Sequence, residues 1–181
     1  MSIEPARKCY KFHYPSFIGD ITVYGDDKEN IVGLRMVSQK HFDNEYAFKT
    51  AKTERLKVFD LAEKWLDRYF KGKKPKTDEI PINPSGSEFQ REVWRILCKI
   101  PYGHYTTYGA VAREVARRRD IPAMSAQAIG GAVARNPILI IIPCHRVIAG
   151  NGKLTGYAGG LPVKNKLLKH ENVNPSKLYR F

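Results

Sequence analysis

Cys144, His145 and Arg146 stand consecutively inside the stretch 136–160, NPILIIIPCHRVIAGNGKLTGYAGG, which puts a thiol, an imidazole and a guanidinium in one short segment. Sulfur attacks as thiolate, and a nearby cation favours that form, so the triplet has the parts for nucleophilic chemistry. Taken alone, a cysteine behind an aliphatic run is more often inert core than nucleophile. Adjacent residues also point apart, to opposite faces of a strand or roughly 100° apart on a helix. His145 therefore reaches the Cys144 sulfur only around a tight turn or through a water. The run Ile138 to Ile142 is short, rich in β-branched residues and opened by Asn136-Pro137, which predicts a buried strand ended by Pro143. Proline has no N–H for a sheet ladder, so the triplet is expected where the backbone leaves that strand.

The elements that must hold this segment are legible around it. Ser87-Glu88-Phe89-Gln90 has the form of a capping box, and Phe89, Val93, Ile96, Leu97 and Ile100 follow at helical spacing until Pro101-Tyr102-Gly103. After Tyr105-Thr106, a second helix is predicted from about Thr107 to Ala116, with Val111, Ala112 and Val115 inward and Arg117-Arg118-Arg119 at its exit. A third is predicted from the N-cap Ser125 to about Arg135, and a last one from Val163 to Glu171. Two successive short helices with a connecting turn are what a helix-turn-helix needs.

The third helix has two unlike faces. At helical spacing Ala126, Ile129, Ala132 and Val133 share a side that should be core, while Gln127, Ala128, Gly130, Gly131 and Ala134 share the other, with Arg135 at its edge. Two glycines cost a helix about 1 kcal/mol each relative to alanine. A smooth face gains close approach, either to another helix or to DNA. With the arginine cluster beside it, shallow insertion in a narrow minor groove is the favoured reading, since a helix reading the major groove is expected to carry long basic side chains.

The string IPCHRVIAGNGKLTGYAGG, following Asn-Pro and an aliphatic run, closely resembles the active site of the O6-alkylguanine-DNA alkyltransferases, which are suicide DNA-repair proteins. The likeness is strong from about Phe89 to Glu171 and weak over the N-terminal part. It implies irreversible transfer of an alkyl group from guanine in duplex DNA to Cys144, once per molecule, with the lesion base flipped out from the minor-groove side. In this scheme His145 deprotonates Cys144 through a water, and Glu171 orients the imidazole. Asn136 bonds the turn before Cys144, and Arg146 holds the loop or helps the thiolate. Tyr108 donates to the guanine ring, and Val147 and Tyr157 wall the pocket. The backbone of Cys144 and Val147 accepts from the exocyclic amine, the Ala158 amide donates to O6, and Gly159-Gly160 leave room for the substituent. DNA contacts are implied for Ala126, Gln127, Ala128, Gly130, Gly131 and Arg135. Unaided by the resemblance, Tyr108 and Tyr157 read as core tyrosines and Glu171 as an ordinary surface carboxylate. One departure stands out: relatives carry arginine where this chain has Gln127, the finger that fills the gap left by the flipped base. Glutamine can fill the space and hydrogen-bond, but it brings no charge.

The bulk composition agrees with a polyanionic partner. A formal charge of +13 over 181 residues favours binding driven by phosphate neutralisation. The odd set Cys9, Cys98 and Cys144 has no paired spacing, which points to a reducing compartment, cytoplasmic or in a eukaryote nuclear. No run approaches membrane-spanning length. The fold class expected is α/β in the α+β sense: a small antiparallel sheet with a helix, then a mostly helical domain with the helix-turn-helix. Strands are predicted over Lys8 to Tyr14, Ile18 to Tyr24 and Ile31 to Val37, and a helix over Glu54 to Lys71 with Val58, Leu61, Ala62, Trp65 and Tyr69 inward. The domains are expected at 1–72 and 87–181, joined by the proline-rich linker 73–86. Cys9 and His13 lack a second close ligand pair, so no metal is expected, and the chemistry needs no cofactor. The protein is expected to act as a monomer on double-stranded DNA. Two rivals are a lesion-binding protein without transfer, of the alkyltransferase-like type that lacks the cysteine, and a Cys-His hydrolase acting on small molecules.

Overall fold

The computed structural model describes residues 8–36, 46–174 and 178–181, and the chain divides into two compact units, 1–84 and 85–181. In the first, β1 (Cys9–Tyr14), β2 (Ile21–Asp26) and β3 (Ile31–Met36) pair antiparallel as their alternation predicts, Cys9 lying opposite Asp26 and Ile21 opposite Met36. A short helix α1 (Tyr46–Lys49) leads to β4 (Lys52–Thr53), which adds parallel to β1 and gives a mixed sheet of order β3-β2-β1-β4. A strand of this length has no periodicity to read, so the sequence did not announce it. Ile18 is buried ahead of β2 rather than within it, and Val37 lies outside the described residues.

The lid on this sheet is α2 (Lys57–Phe70). Its buried face is Val58, Phe59, Ala62, Trp65, Leu66 and Tyr69, whereas Leu61, expected inward, is 48% exposed. The apolar stripe is wide enough to close in either direction, and Phe59 wins because its ring meets Phe12 at 4.8 Å between centroids. The Glu29 carboxylate accepts from the Val58 N–H at 2.8 Å, capping α2 from the β2–β3 turn. The segment 73–86, expected as a linker, lies along this unit over much of its length: the Trp65 indole donates to the Lys76 carbonyl at 2.8 Å, and Ile31 donates to the Pro81 carbonyl at 2.9 Å.

The second unit begins with α3 (Glu88–Leu97), whose cap Ser87 accepts from the Gln90 N–H while Gln90 returns a bond to the Ser87 N–H. Strand β5 (Thr106–Thr107) precedes α4 (Tyr108–Arg119), which continues through the arginine cluster and ends at Asp120 in the left-handed conformation. Ser125 then caps α5 (Ala126–Ala134) by accepting from the Gln127 and Ala128 N–H groups. These three helices pack on one another through Val93, Trp94, Ile96, Val111, Val115, Ile129, Ala132 and Val133, all buried. Ala126 is exposed, not core, because it sits in the first turn of α5 beyond the reach of α3 and α4. β6 (Val147–Ile148) pairs parallel with β5, and α6 (Leu161–His170) closes the unit. Among the described residues no helix is long and apolar enough to cross a membrane.

Trp94 joins α3 to α5 directly, its indole N–H donating to the Ala132 carbonyl at 2.9 Å in a buried setting. Trp94→Phe removes this donor, leaving that carbonyl only the Arg135 N–H at 3.2 Å, and removes ring volume, so urea unfolding of the second unit is expected to show a loss of about 1–3 kcal/mol. An unchanged midpoint and slope would mean that this bond does not hold α5 in place.

Candidate active site

The apolar run before Cys144 is not a strand. Ile138 to Ile142 are all buried, as expected, but the backbone folds into consecutive turns, with Ile140 at φ 69. A β-branched residue occupies that region only where its surroundings over-determine it, at a cost of about 1–3 kcal/mol. Here the determinant is Asn136, which is fully buried. Its Oδ1 accepts from the Ile138 N–H at 2.9 Å, and its Nδ2 donates to the Ile142 carbonyl at 2.9 Å and to Cys144 Sγ at 3.0 Å. One amide thus closes the turn and fixes the sulfur at its end. Cys144–Arg146 follow as a single 3₁₀ turn entering β6.

Behind that turn lies Glu171, at the C-cap of α6 and 1% exposed. Its carboxylate meets His145 Nε2 at 2.7 Å, Arg146 Nε and Nη2 at 2.8 and 2.9 Å, and the Gly103 N–H at 3.0 Å. Arg146 also donates to the Ile100 carbonyl at 2.7 Å. Burial alone would raise the Glu171 carboxyl, but His145 and Arg146 override it and hold it well below the usual carboxylate range. Burial pushes the His145 imidazole down from its ordinary value against the pull of Glu171, with Arg146 and Lys164 adding to the depression. At neutral pH the carboxylate is therefore ionised and the ring neutral. An ionised carboxylate only accepts, so Nε2 carries the proton and Nδ1 presents its lone pair. Nδ1 is buried and has no hydrogen-bond partner among the described residues.

Arg146 is thus committed to Glu171, and the expectation that a cation beside Cys144 favours its thiolate in the resting protein is not met. Cys144 is 3% exposed, and burial pushes its thiol up to about 11, with the Asn136 bond and the Lys164 charge opposing. Lys164 is a residue that sequence reasoning passed over. It is fully buried in α6 and donates through Nζ to the carbonyls of Val147 at 2.7 Å and Thr155 at 2.8 Å, strapping β6 to the loop after it. Burial pulls its ammonium down to about 8. A signal was present: Lys164 stands three and four positions before Leu167 and Leu168, on the apolar stripe, where a lysine needs a partner. The Val147 carbonyl, expected to accept from a guanine amine, already accepts from this lysine.

The remaining candidates gather around the sulfur. The Tyr108 phenol stands at the start of α4, and burial raises it above its ordinary value, with the Thr155 side chain opposing and the sulfur of Cys144 adding to the rise. The Tyr157 ring stands edge-on to His145 at 6.4 Å between centroids, with its hydroxyl buried and unpartnered. Gly160, at φ 88, turns the chain into α6 in a conformation that a side chain resists, and its N–H returns to the Tyr157 carbonyl at 2.9 Å, enclosing Ala158 and Gly159. On α5, Gln127, Ala128 and Arg135 are exposed and Gly130 and Gly131 half-buried. A methyl added at Gly130 would meet nothing within 4 Å, and one at Gly131 would meet the tip of the Arg135 side chain at 3.3 Å. The glycine pair is therefore not demanded by this unit's own packing.

Residues 88–173 match the family described as 6-O-methylguanine DNA methyltransferase, DNA binding domain, and residues 9–84 match its ribonuclease-like domain. The methylated-DNA–protein-cysteine methyltransferase of Methanosarcina acetivorans is 40% identical over 158 residues, which is 87% of this chain and 95% of that one. Its namesake from Mycolicibacterium paratuberculosis is 43% identical over 165 residues, 91% of this chain and 93% of that one. The chain belongs to the 6-O-methylguanine DNA methyltransferase family. The crystal structure of the Mycobacterium tuberculosis O6-methylguanine methyltransferase superposes with a TM-score of 0.76 at 36% identity, over 93% of this chain and 94% of that one. A second crystal structure, of the Mycobacterium tuberculosis protein OGT in complex with DNA, superposes at 0.72 with 36% identity, over 91% of this chain and 92% of that one. In this member of the family Asn136 holds the sulfur, Glu171 holds His145, and Lys164 holds the Val147 carbonyl, all of them buried.

A thiol held near pH 11 in the resting state predicts how Cys144 titrates. Labelling by iodoacetamide, read at Cys144 by peptide mass, should rise about tenfold per pH unit beyond pH 9, whereas a free thiol levels off above about 8.5. Asn136→Ala removes a donor to sulfur and should move the rise to still higher pH. A plateau below pH 9 in the unmodified protein would contradict the assignment.

Proposed function

We propose that this chain repairs DNA by direct reversal, moving an alkyl group from O6 of guanine onto Cys144 Sγ in a single irreversible step. The observation that carries the mechanism is the His145–Glu171 pair, with Nε2 held on the carboxylate and Nδ1 left as a buried, unpartnered base. Nδ1 takes the thiol proton through a water, and Glu171 stabilises the imidazolium that forms. The thiolate displaces O6 at the alkyl carbon: the S–C bond forms as the C–O bond breaks, and the electron pair leaves on the guanine oxygen. The Ala158 N–H and the Tyr108 hydroxyl donate to that oxygen as the charge builds. Cys144 ends as a thioether, and no step regenerates the thiolate.

The resting site is closed, so binding must open it. The sulfur is 3% exposed. A guanine entering beside Cys144 takes a hydrogen bond from Tyr108 to its ring, and Val147, Tyr157 and Gly159-Gly160 enclose the base and its substituent. The alkylated oxygen lies inside a duplex, so the base is flipped out, and weakened pairing at the lesion lowers that cost. The exposed face of α5 enters the minor groove to do this, with Ala126, Gln127, Ala128 and Gly130-Gly131 against the backbone and Arg135 at the edge. Gln127 fills the gap in the stack, without the charge that an arginine would bring. One protein molecule acts on one lesion, without metal or organic cofactor.

Incubation with a duplex containing one O6-methylguanine should raise the protein mass by one methylene equivalent, confined to Cys144 and absent in Cys144→Ser. Repeated turnover would favour a hydrolase, and binding without a mass change a lesion sensor. His145→Ala should slow transfer by about 10²-fold or more at neutral pH with little loss of DNA affinity. Gln127→Ala should slow repair in duplex, and an unchanged rate would remove it as the finger.

Gly130→Ala separates fold from function. Its methyl has open space, so the helix should gain up to about 1 kcal/mol of stability, while affinity for duplex DNA falls. Unchanged DNA affinity in a stabilised variant would show that this face stays away from the duplex.

A further inference from the structure

We propose that the groove between α4 and the C-terminal segment is a second DNA contact, holding the phosphodiester backbone of a strand that flanks the lesion. This rests on the reading above that the chain binds duplex DNA. The groove has a volume of about 540 Å³ and is walled by Thr107, Ala110, Arg113 and Arg117 on α4 and by Tyr179 and Arg180 on the terminal segment.

Its charge is unbalanced. Glu114 lies in the same wall, but its carboxylate is taken by Arg117 at 2.9 Å and Arg118 at 2.6 Å, so one acid faces two guanidiniums. Arg113 and Arg180 have no carboxylate partner among the described residues, and both are exposed. Arginines that are free to present a planar fork suit phosphate oxygens, and neutralising a phosphate releases condensed counterions. The half-buried Tyr179 and the 39% exposed Phe181 add aromatic surface, which suits a sugar or a frayed base.

The groove also begins next to the reaction site along the chain, since Thr107, which lines it, directly precedes Tyr108. The Arg113 guanidinium folds back along α4, with Nη1 3.7 Å from where a methyl on Gly109 would stand, beside Tyr108. The terminal segment is fixed in place. The Tyr179 N–H donates to the Tyr105 carbonyl at 2.7 Å, the Thr106 hydroxyl donates to the Tyr179 carbonyl at 3.1 Å, and Leu178 bridges Tyr105 in parallel register. These bonds tie the segment beside the start of β5, so Arg180, next to Tyr179, stays on the groove wall. A backbone whose base has entered the pocket leaves past Tyr108, and the next cations along α4 are those of the groove.

The test is the salt dependence of duplex binding, measured as log affinity against log salt with an O6-methylguanine duplex long enough to flank the lesion on both sides. Each lost phosphate contact removes about 0.9 from the slope, so Arg113→Ala with Arg180→Ala should make it shallower by about 1.8. Arg113→Lys with Arg180→Lys keeps the charge and should restore most of the slope. A double alanine variant that stays folded and binds with the unmodified slope would overturn the proposal. So would a uniform loss of affinity at every salt concentration, since that means a positioning effect of the terminal strand on Tyr108. Should the unmodified protein show no salt-dependent duplex binding, the DNA reading itself fails.

Discussion

The Glu171 carboxylate takes hydrogen bonds from an imidazole, from two nitrogens of a guanidinium and from a backbone N–H, in a setting that is 1% exposed. Those donors come from the loop after α3 and from the turn that carries Cys144, while the acceptor ends α6. A buried charge without partners costs several kcal/mol, so none of these segments can shift without stranding Arg146 or Glu171. The same carboxylate sets the state of the histidine. By accepting at Nε2 it leaves the Nδ1 lone pair open, while burial, with Arg146 and Lys164 adding to it, keeps the ring neutral against the carboxylate's pull.

Around that fixed point, the nucleophile is kept protonated and covered. Burial raises the Cys144 thiol, and Asn136 and Lys164 offset only part of the rise. A thiolate in the resting state would react with any small electrophile, and a buried, protonated sulfur is guarded against that. Lys164 serves both sides of this arrangement. Its ammonium bonds the Val147 and Thr155 carbonyls, and its charge lies near the sulfur that must become an anion.

Helix α5 shows the opposite compromise. α5 gives up intrinsic helix stability at Gly130 and Gly131, although its surroundings leave room for a methyl at Gly130. Its core face makes up the difference, with Ile129, Ala132 and Val133 buried and the Ala132 carbonyl bonded to Trp94. The helix is anchored from behind so that its front can be bare.

Much of this was legible in the chain alone, wherever the information was local. The Ser87 capping box, the Ser125 cap, the helical spacings of α3 to α6 and the alternation of β1 to β3 all depend on residues within a few positions of one another, and they formed within about three residues of where they were read. Cys144, His145 and Arg146 stood out by type and adjacency. Tertiary structure decided the rest, because the deciding partners are distant in sequence or lie in the backbone. The Ile138 to Ile142 run was correctly taken as buried, but periodicity does not separate a buried strand from a buried turn, and the Asn136 side chain made the choice. Phe59 displaced Leu61 from the core because Phe12 was there to meet it. Glu171, ordinary at the end of a helix, became the charge centre of the site only when Gly103, His145 and Arg146 were folded around it, and Lys164 found its carbonyls in the same way. Residue types determined which reaction the chain has the groups to perform; which nitrogen is the base, which cation is already engaged and how deeply the sulfur lies were settled by contacts across the fold.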